Sequence, residues 1–257
     1  MIKYSANLGF LWSELSLPDA IRAAKKAGFE AVECHWPYDY DTSEINSALQ
    51  ETGLTMLGLN TFRGDVAGGE NGLSAVTGRE AEARQYIDQA CEYADVIGCE
   101  KIHVMAGFTD GGEEAENTFR SNLKYACEKA AQYQQTILIE PLNLRDAPGY
   151  HLSNIDAAIE TVKAVGCDNI KVMFDCYHIQ IMQGDLIKRL EKAMPYIGHI
   201  QIAGVPDRGE PDQGEVNYQV VLAAISELGY DGYIGAEYKP RTTTDAGLGW
   251  LEKLPPY

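Results

Sequence analysis

Residues 170–203 read IKVMFDCYHIQIMQGDLIKRLEKAMPYIGHIQIA, and this stretch decides the fold. It opens on a β-like apolar run at 170–175, passes through amphipathic sequence and closes on a second such run at 198–202. Two strands joined by helical sequence account for that change of period. The alternation continues both ways: strand-like runs lie at 2–7, 29–34, 54–61, 101–105, 136–140 and 232–237, with amphipathic segments between successive members. Eight β/α units are what a closed barrel needs, so the predicted fold is α/β, a single (β/α)8 TIM-barrel domain spanning 1–257. A doubly wound open sheet would carry a Gly-rich phosphate loop after its first strand, and Asn7-Leu8-Gly9-Phe10 does not match GxGxxG.

The two rims of the barrel read differently. Helices close on Gly28, Gly53, Gly98, Gly166 and Gly229 just before the next strand, the position where glycine adopts the left-handed conformation. The segments after strands are longer and richer in Gly, Pro and charge, notably 63–78, 107–114, 143–152 and 205–214. Function is expected at that second rim, the C-terminal face.

Composition narrows the partners. With 38 acidic and 21 basic side chains the formal net charge is −17, which repels polyanions and anionic lipid surfaces, so neither nucleic acid nor membrane is an expected partner. Cys34, Cys91, Cys99, Cys127, Cys167 and Cys176 form no CxxC pair, and no long apolar run or basic leader is present; a cytoplasmic protein is expected. Whether it forms a homo-oligomer is left open.

At the C-terminal ends of the last four strands stand Glu140 (TILIE), Asp175 (IKVMFD), Gln201 (HIQIA) and Glu237 (YIGAE). A carboxylate closing a buried apolar strand is costly unless it is paired, hydrogen-bonded or bound to a cation. Any one of them alone could cap a helix or pair with a lysine. Four on consecutive strands point to a divalent metal, and an all-oxygen set favours Mg²⁺ or Mn²⁺.

Other side chains leave two readings each. His178 is a substrate hydrogen-bonding group or a loop histidine bonded to backbone. Arg208, set among Asp207, Glu210, Asp212 and Glu215, either recognises a substrate carboxylate or forms a surface ion pair. Lys239 and Arg241 add to an anion-binding rim or face solvent. Phe10, Trp12, Trp36 and Phe62 wall a pocket or pack in the core. His103 and His199 read as satisfied interior residues, while His35 and His151 could be either.

The sequence resembles the xylose-isomerase-like (β/α)8 barrels and, within them, the hydroxypyruvate isomerase family, along nearly its whole length. The resemblance is carried by SANLGFLW (5–12), GREAEARQYIDQACEYA (78–94), IHVMAG (102–107), ILIEPLN (137–143), FDCYHIQ (174–180), HIQIAGVPDRGEPDQGEVNY (199–218), IGAEYKPR (234–241) and GLGW (247–250). It implies a divalent metal held by Glu140, Asp175, Gln201 and Glu237, with Glu140 and Glu237 as the proton-transfer pair. Many relatives have histidine where Gln201 stands; relatives acting on longer sugars have a glutamate near Asp146, which receives no role. The implied activity is interconversion of hydroxypyruvate and tartronate semialdehyde through an enediolate, with Arg208 and Lys239 on the carboxylate of this small keto or hydroxy acid and His178 on an oxygen. Isomerisation of four-carbon 2-oxotetronate is the alternative in the same chemistry. A metal-dependent phosphodiesterase would need a histidine-rich metal cluster and a basic groove, and a non-catalytic sugar-acid binding module would bind without turnover.

Overall fold

A computed structural model of the chain describes residues 3–254; Ile2, the first residue of the expected opening strand, lies outside them. The strands are β1 (Lys3–Asn7), β2 (Ala31–Glu33), β3 (Thr55–Met56), β4 (Leu59–Asn60), β5 (Lys101–His103), β6 (Thr136–Ile139), β7 (Ile170–Asp175), β8 (Ile197–Ile202) and β9 (Tyr233–Ala236). All pair in parallel, in the order β3-β2-β1-β9-β8-β7-β6-β5-β4. β3 and β4 are two halves of the one strand expected at 54–61. The first half pairs with β2 and the second with β5, so this interrupted strand closes the eight-stranded barrel. The break falls at Leu57-Gly58, where Gly58 contributes no side chain to hold the pleat.

Helices α1 (Leu17–Lys26), α2 (Thr42–Thr52), α3 (Glu80–Ile97), α4 (Gly112–Ala131), α5 (Ile155–Val165), α6 (Cys176–Met182), α7 (Leu186–Ala193) and α8 (Tyr218–Glu227) follow their strands, with two short turns, α9 (Thr244–Gly247) and α10 (Trp250–Lys253), after β9. Local chemistry sets their ends. Ser16 caps α1 by accepting from the Asp19 N–H, with proline in the first turn. α2, α3 and α5 close on Gly53, Gly98 and Gly166 in the left-handed region, as the glycines placed just before the next strands predict. The apolar helix faces and strands form one continuous core that includes Ile21, Ile87, Phe119, Phe174, Leu222 and Trp250.

The loops of the C-terminal face are fastened to one another. Isolated bridges join Gly72 to Ala106, Phe108 to Tyr150 and Gly204 to Gly209, and Arg145 Nη2 donates to the Pro206 carbonyl at 2.7 Å. His151 has a structural place here. Its Nδ1 lies 2.9 Å from Thr109 Oγ1 and its Nε2 3.0 Å from Glu116 Oε2, while Arg120 Nε donates to Glu116 Oε1 at 2.6 Å. The hydrogen bond from His151, against an opposing effect of burial and with help from Arg120, holds the Glu116 carboxyl down at about 2.

A carboxyl lowered by folding stabilises the folded chain above its unfolded value of about 4.3, and that contribution disappears as pH falls through its folded value. The stability difference between wild type and Glu116→Gln, read from urea midpoints, is therefore expected to be full at pH 6 and to shrink between pH 4 and 2. A difference that stays constant over that range would contradict the assignment.

Candidate active site

Parallel pairing carries the strand-end residues to one place. Asp175 is in register with Gln201, and Gln201 with Gly235, so Glu237 stands one inward position above that level. Glu140 follows β6 directly. All four are at most 5% exposed. Ligand atoms of Glu140, Asp175 and His178 lie within 4.8 Å of one another.

Each member has a distinct set of partners. Asp175 Oδ1 accepts from the Tyr177 N–H at 2.8 Å, capping α6, and leaves Oδ2 facing Arg208 Nη2 at 3.4 Å and His178 Nε2 at 3.5 Å. Glu237 Oε1 accepts from Asn7 Nδ2 at 3.0 Å and lies 2.9 Å from His35 Nε2, while its Oε2 is ion-paired with Arg208. Glu140 Oε1 and Gln201 Oε1 are buried with no hydrogen-bond partner among the described residues.

His178 stays outside a metal's first coordination sphere on hydrogen-bonding grounds. Its Nδ1 is 2.9 Å from the Asn143 backbone N–H and 2.8 Å from Asn143 Nδ2, so Nδ1 must accept. Burial, with Arg208 nearby, pushes its pKa down to about 3. A neutral imidazole that accepts at Nδ1 carries its proton on Nε2, which lies 3.5 Å from Asp175 Oδ2 and 3.9 Å from Glu140 Oε1.

The carboxyls are driven apart electrostatically. Burial, then Glu237 and Asp175, raise Glu140 well above the ordinary carboxylate range. Burial also lifts Asp175 to about 7 against the pull of Arg208. For Glu237 burial acts upward, but Arg208 and His35 outweigh it and hold the group far below its usual value. Three carboxyls thus face one guanidinium, leaving two negative charges for a dication when all are ionised. That balance, the two unpartnered oxygens and the oxygen donor set fit a hard divalent ion.

The mouth is a cleft of about 360 Å³ lined by Phe10, His35, Trp36, Asn60, His103, Glu140, Asp146, His178, Arg208, Glu237 and Lys239, among others. Arg208 reaches into it with its guanidinium 4.7 Å from the Phe10 ring and 5.1 Å from Tyr177. Its acidic sequence neighbours are engaged elsewhere: Glu210 binds Arg241 at 2.5 Å and Asp212 binds Lys253 at 2.6 Å. Arg241 therefore anchors the loop and is not part of an anion rim. Lys239 is exposed at the edge, its Nζ 5.8 Å from Phe10, and does not reach the carboxylate group.

Of the four aromatics, Phe10 and Trp36 wall the cleft. Trp12 is buried with Nε1 on Asp245, and Phe62 packs against Tyr38 and Tyr86. His199 is satisfied, on Glu33, as expected. His103 departs from expectation: it is buried, yet neither ring nitrogen has a hydrogen-bond partner among the described residues, and Nδ1 lies 3.5 Å from Glu140 Oε2. It sits within a strand, but its ring looks onto the cleft. Asn7 escaped the sequence reading, and His35, left there with two readings, belongs to the site; both stand at or just beyond the ends of the first two strands.

The sequence of residues 21–254 matches the family described as xylose isomerase-like TIM barrel. The chain is 47% identical to 2-oxo-tetronate isomerase of Cupriavidus necator, over 98% of each chain, and 39% identical to hydroxypyruvate isomerase of Escherichia coli, over 98% of this chain and 99% of that one. A crystal structure described as AP endonuclease, family 2 from Brucella melitensis superimposes with a TM-score of 0.95 at 41% identity, covering 98% of this chain and 99% of that one. The chain belongs to the xylose-isomerase-like TIM-barrel family, and it is an isomerase. Within that family it falls with the hydroxypyruvate and 2-oxo-tetronate isomerases.

The position of His35 over Gly9 yields a test. A Cβ at Gly9 would lie 2.1 Å from His35 Nδ1, so Gly9→Ala must displace the ring that holds Glu237. kcat/KM is expected to fall on the order of 10–100-fold with the melting temperature little changed. Wild-type kcat/KM in a folded Gly9→Ala protein would mean that His35 does not support Glu237.

Proposed function

We propose that the enzyme interconverts hydroxypyruvate and tartronate semialdehyde by proton transfer through an enediolate, with a divalent metal, Mg²⁺ or Mn²⁺, held by Glu140, Asp175, Gln201 and Glu237. The observation that carries this reading is the pair of buried oxygens, Glu140 Oε1 and Gln201 Oε1, left without partners beside two further carboxylates. When bound, the cation supplies Lewis-acid stabilisation of negative charge developing on the substrate oxygens. The remaining work falls to side chains. A proton leaves C3 of hydroxypyruvate and one returns to C2, while the hydroxyl proton passes from the C3 oxygen to the C2 oxygen; two carboxyls with oppositely shifted affinities suit a donor and an acceptor for the carbon-bound protons. Glu140 and Glu237 take those parts and exchange them when the direction reverses.

The Nε2–H of His178 donates to a substrate oxygen. Arg208, positioned against Phe10 and Tyr177, binds the substrate carboxylate, with Lys239 adding positive charge at the rim. Phe10, Trp36, Met105 and Leu142 limit water around the intermediate.

A second reading, 2-oxotetronate as substrate, is favoured by the 47% identity to the Cupriavidus necator enzyme and by a cleft with space beyond three carbons. Against the endonuclease activity in the name of the Brucella melitensis structure stand the net charge of −17 and a proposed ligand set made only of oxygens. Free cysteines throughout the described residues, and the lack among them of a helix long and apolar enough to cross a membrane, support a cytoplasmic enzyme. The continuous core supports one barrel domain.

Turnover of three- and four-carbon 2-oxo acids, assayed after chelation and after reloading with Mg²⁺ or Mn²⁺, tests both readings. Activity is expected to vanish on stripping and return on reloading. Glu140→Gln should lower kcat on the order of 10³-fold or more and abolish exchange of substrate protons in D₂O. Full activity in metal-free protein, or wild-type kcat in Glu140→Gln, would refute the mechanism.

A further inference from the structure

Next to Gln201 in the barrel interior lies a carboxylate to which the proposed reaction gives no part. Glu33 ends β2 and is 4% exposed. Donors converge on it: Ser5 Oγ reaches Oε1 at 2.8 Å, His199 Nε2 lies 3.1 Å from both oxygens, and Gln201 Nε2 reaches Oε2 at 2.7 Å. Gly235, beside Gln201 in the sheet, makes the cluster possible. A Cβ there would stand 2.3 Å from Glu33 Oε1, 2.9 Å from Gln201 Cγ and 2.9 Å from His199 Nε2.

The contact with Glu33 has a chemical consequence for Gln201. The two ends of a glutamine amide are nearly the same size, so packing alone cannot choose between them. A carboxylate only accepts hydrogen bonds, so the end facing Glu33 must be the NH₂ group. The oxygen is thereby turned away from Glu33. That oxygen is the one left buried and unpartnered, on a side chain that lines a cavity of about 20 Å³ together with Glu237 and His103.

We propose that Glu33 is a positioning residue that fixes the Gln201 amide so that oxygen, and not nitrogen, is offered to the cation. The inference rests on the metal site proposed above. It explains how an amide, a weak ligand free to rotate by half a turn, serves at a position flanked by Asp175 and Gly235. Ser5 and His199 act through Glu33 by holding its carboxylate still.

The test is Mn²⁺ binding, followed by the loss of the free-ion EPR signal, to the full chain carrying Glu33→Asp, Gln201→Ala or both, with melting temperatures recorded for the metal-free proteins. Glu33→Asp keeps the charge but withdraws it by one methylene. It is expected to weaken Mn²⁺ binding on the order of 10–100-fold, the range found for groups that orient metal ligands. In the Gln201→Ala background the same change should have little further effect, because the amide it acts through is gone.

Unchanged affinity in Glu33→Asp, or effects that multiply fully in the double variant, would overturn the proposal, since Glu33 would then act through its charge or through general stability. Should Glu33→Asp fail to fold, Ser5→Ala removes one donor and no charge. A several-fold loss of affinity confined to the Gln201 background supports the proposal, and an unchanged affinity overturns it. Wild-type protein that binds no Mn²⁺ would defeat the metal reading itself, and this inference with it.

Discussion

Buried carboxyl groups of Glu140, Asp175 and Glu237 gather at the barrel mouth, and the repulsion among them is the constraint around which the site is built. Two like charges about 5 Å apart repel by roughly 3 kcal/mol at an effective dielectric near 20, and each has also given up its hydration. One guanidinium, from Arg208, does not neutralise three carboxylates. The opposite displacements of Glu140 and Glu237 in proton affinity follow from this imbalance: Arg208 and His35 outweigh burial at Glu237 and hold it low, while burial and the neighbouring carboxyls push Glu140 up. A barrel tolerates such a group because its parallel ladders and continuous core supply stability elsewhere. Catalytic demand then accumulates at the open ends of the strands.

Support for the group comes from the whole ring of strands. Asn7 and His35, from the beginning of the chain, grip Glu237, which lies more than two hundred residues away. Asn143 fixes the tautomer of His178, and Tyr177 both caps with Asp175 and donates through its hydroxyl to Asp146 at 2.7 Å. The loop carrying Arg208 is held by Glu210 on Arg241, so the acidic sequence that surrounds the cation stabilises the loop without consuming its charge. Positioning is thus distributed over residues beyond the four strand-end groups.

Much of this was legible in the sequence because barrel geometry converts strand ends into neighbours. Glu140, Asp175 and Glu237 could be grouped from one rule, that a carboxylate closing an apolar strand needs a partner, and Gln201 joined them as the polar residue of the strand between. The same rule, applied to the second strand, would have reached Glu33; the acidic residue of AVE is as anomalous in a buried run as that of TILIE. What periodicity could not supply was pairing. Whether Arg208 meets Glu210 or Glu237, and whether His103 is satisfied, depends on side-chain directions over distances that spacing along the chain does not encode. The interrupted third strand was likewise invisible, since 54–61 has the composition of one continuous run.

The central claim, that these oxygens gather around one dication, is tested most directly by anomalous diffraction from crystals equilibrated with Mn²⁺. A single peak about 2.0–2.3 Å from oxygens of Glu140, Asp175, Gln201 and Glu237 is the expected result. A peak bound elsewhere, or no peak between these four side chains at saturating Mn²⁺, would contradict it.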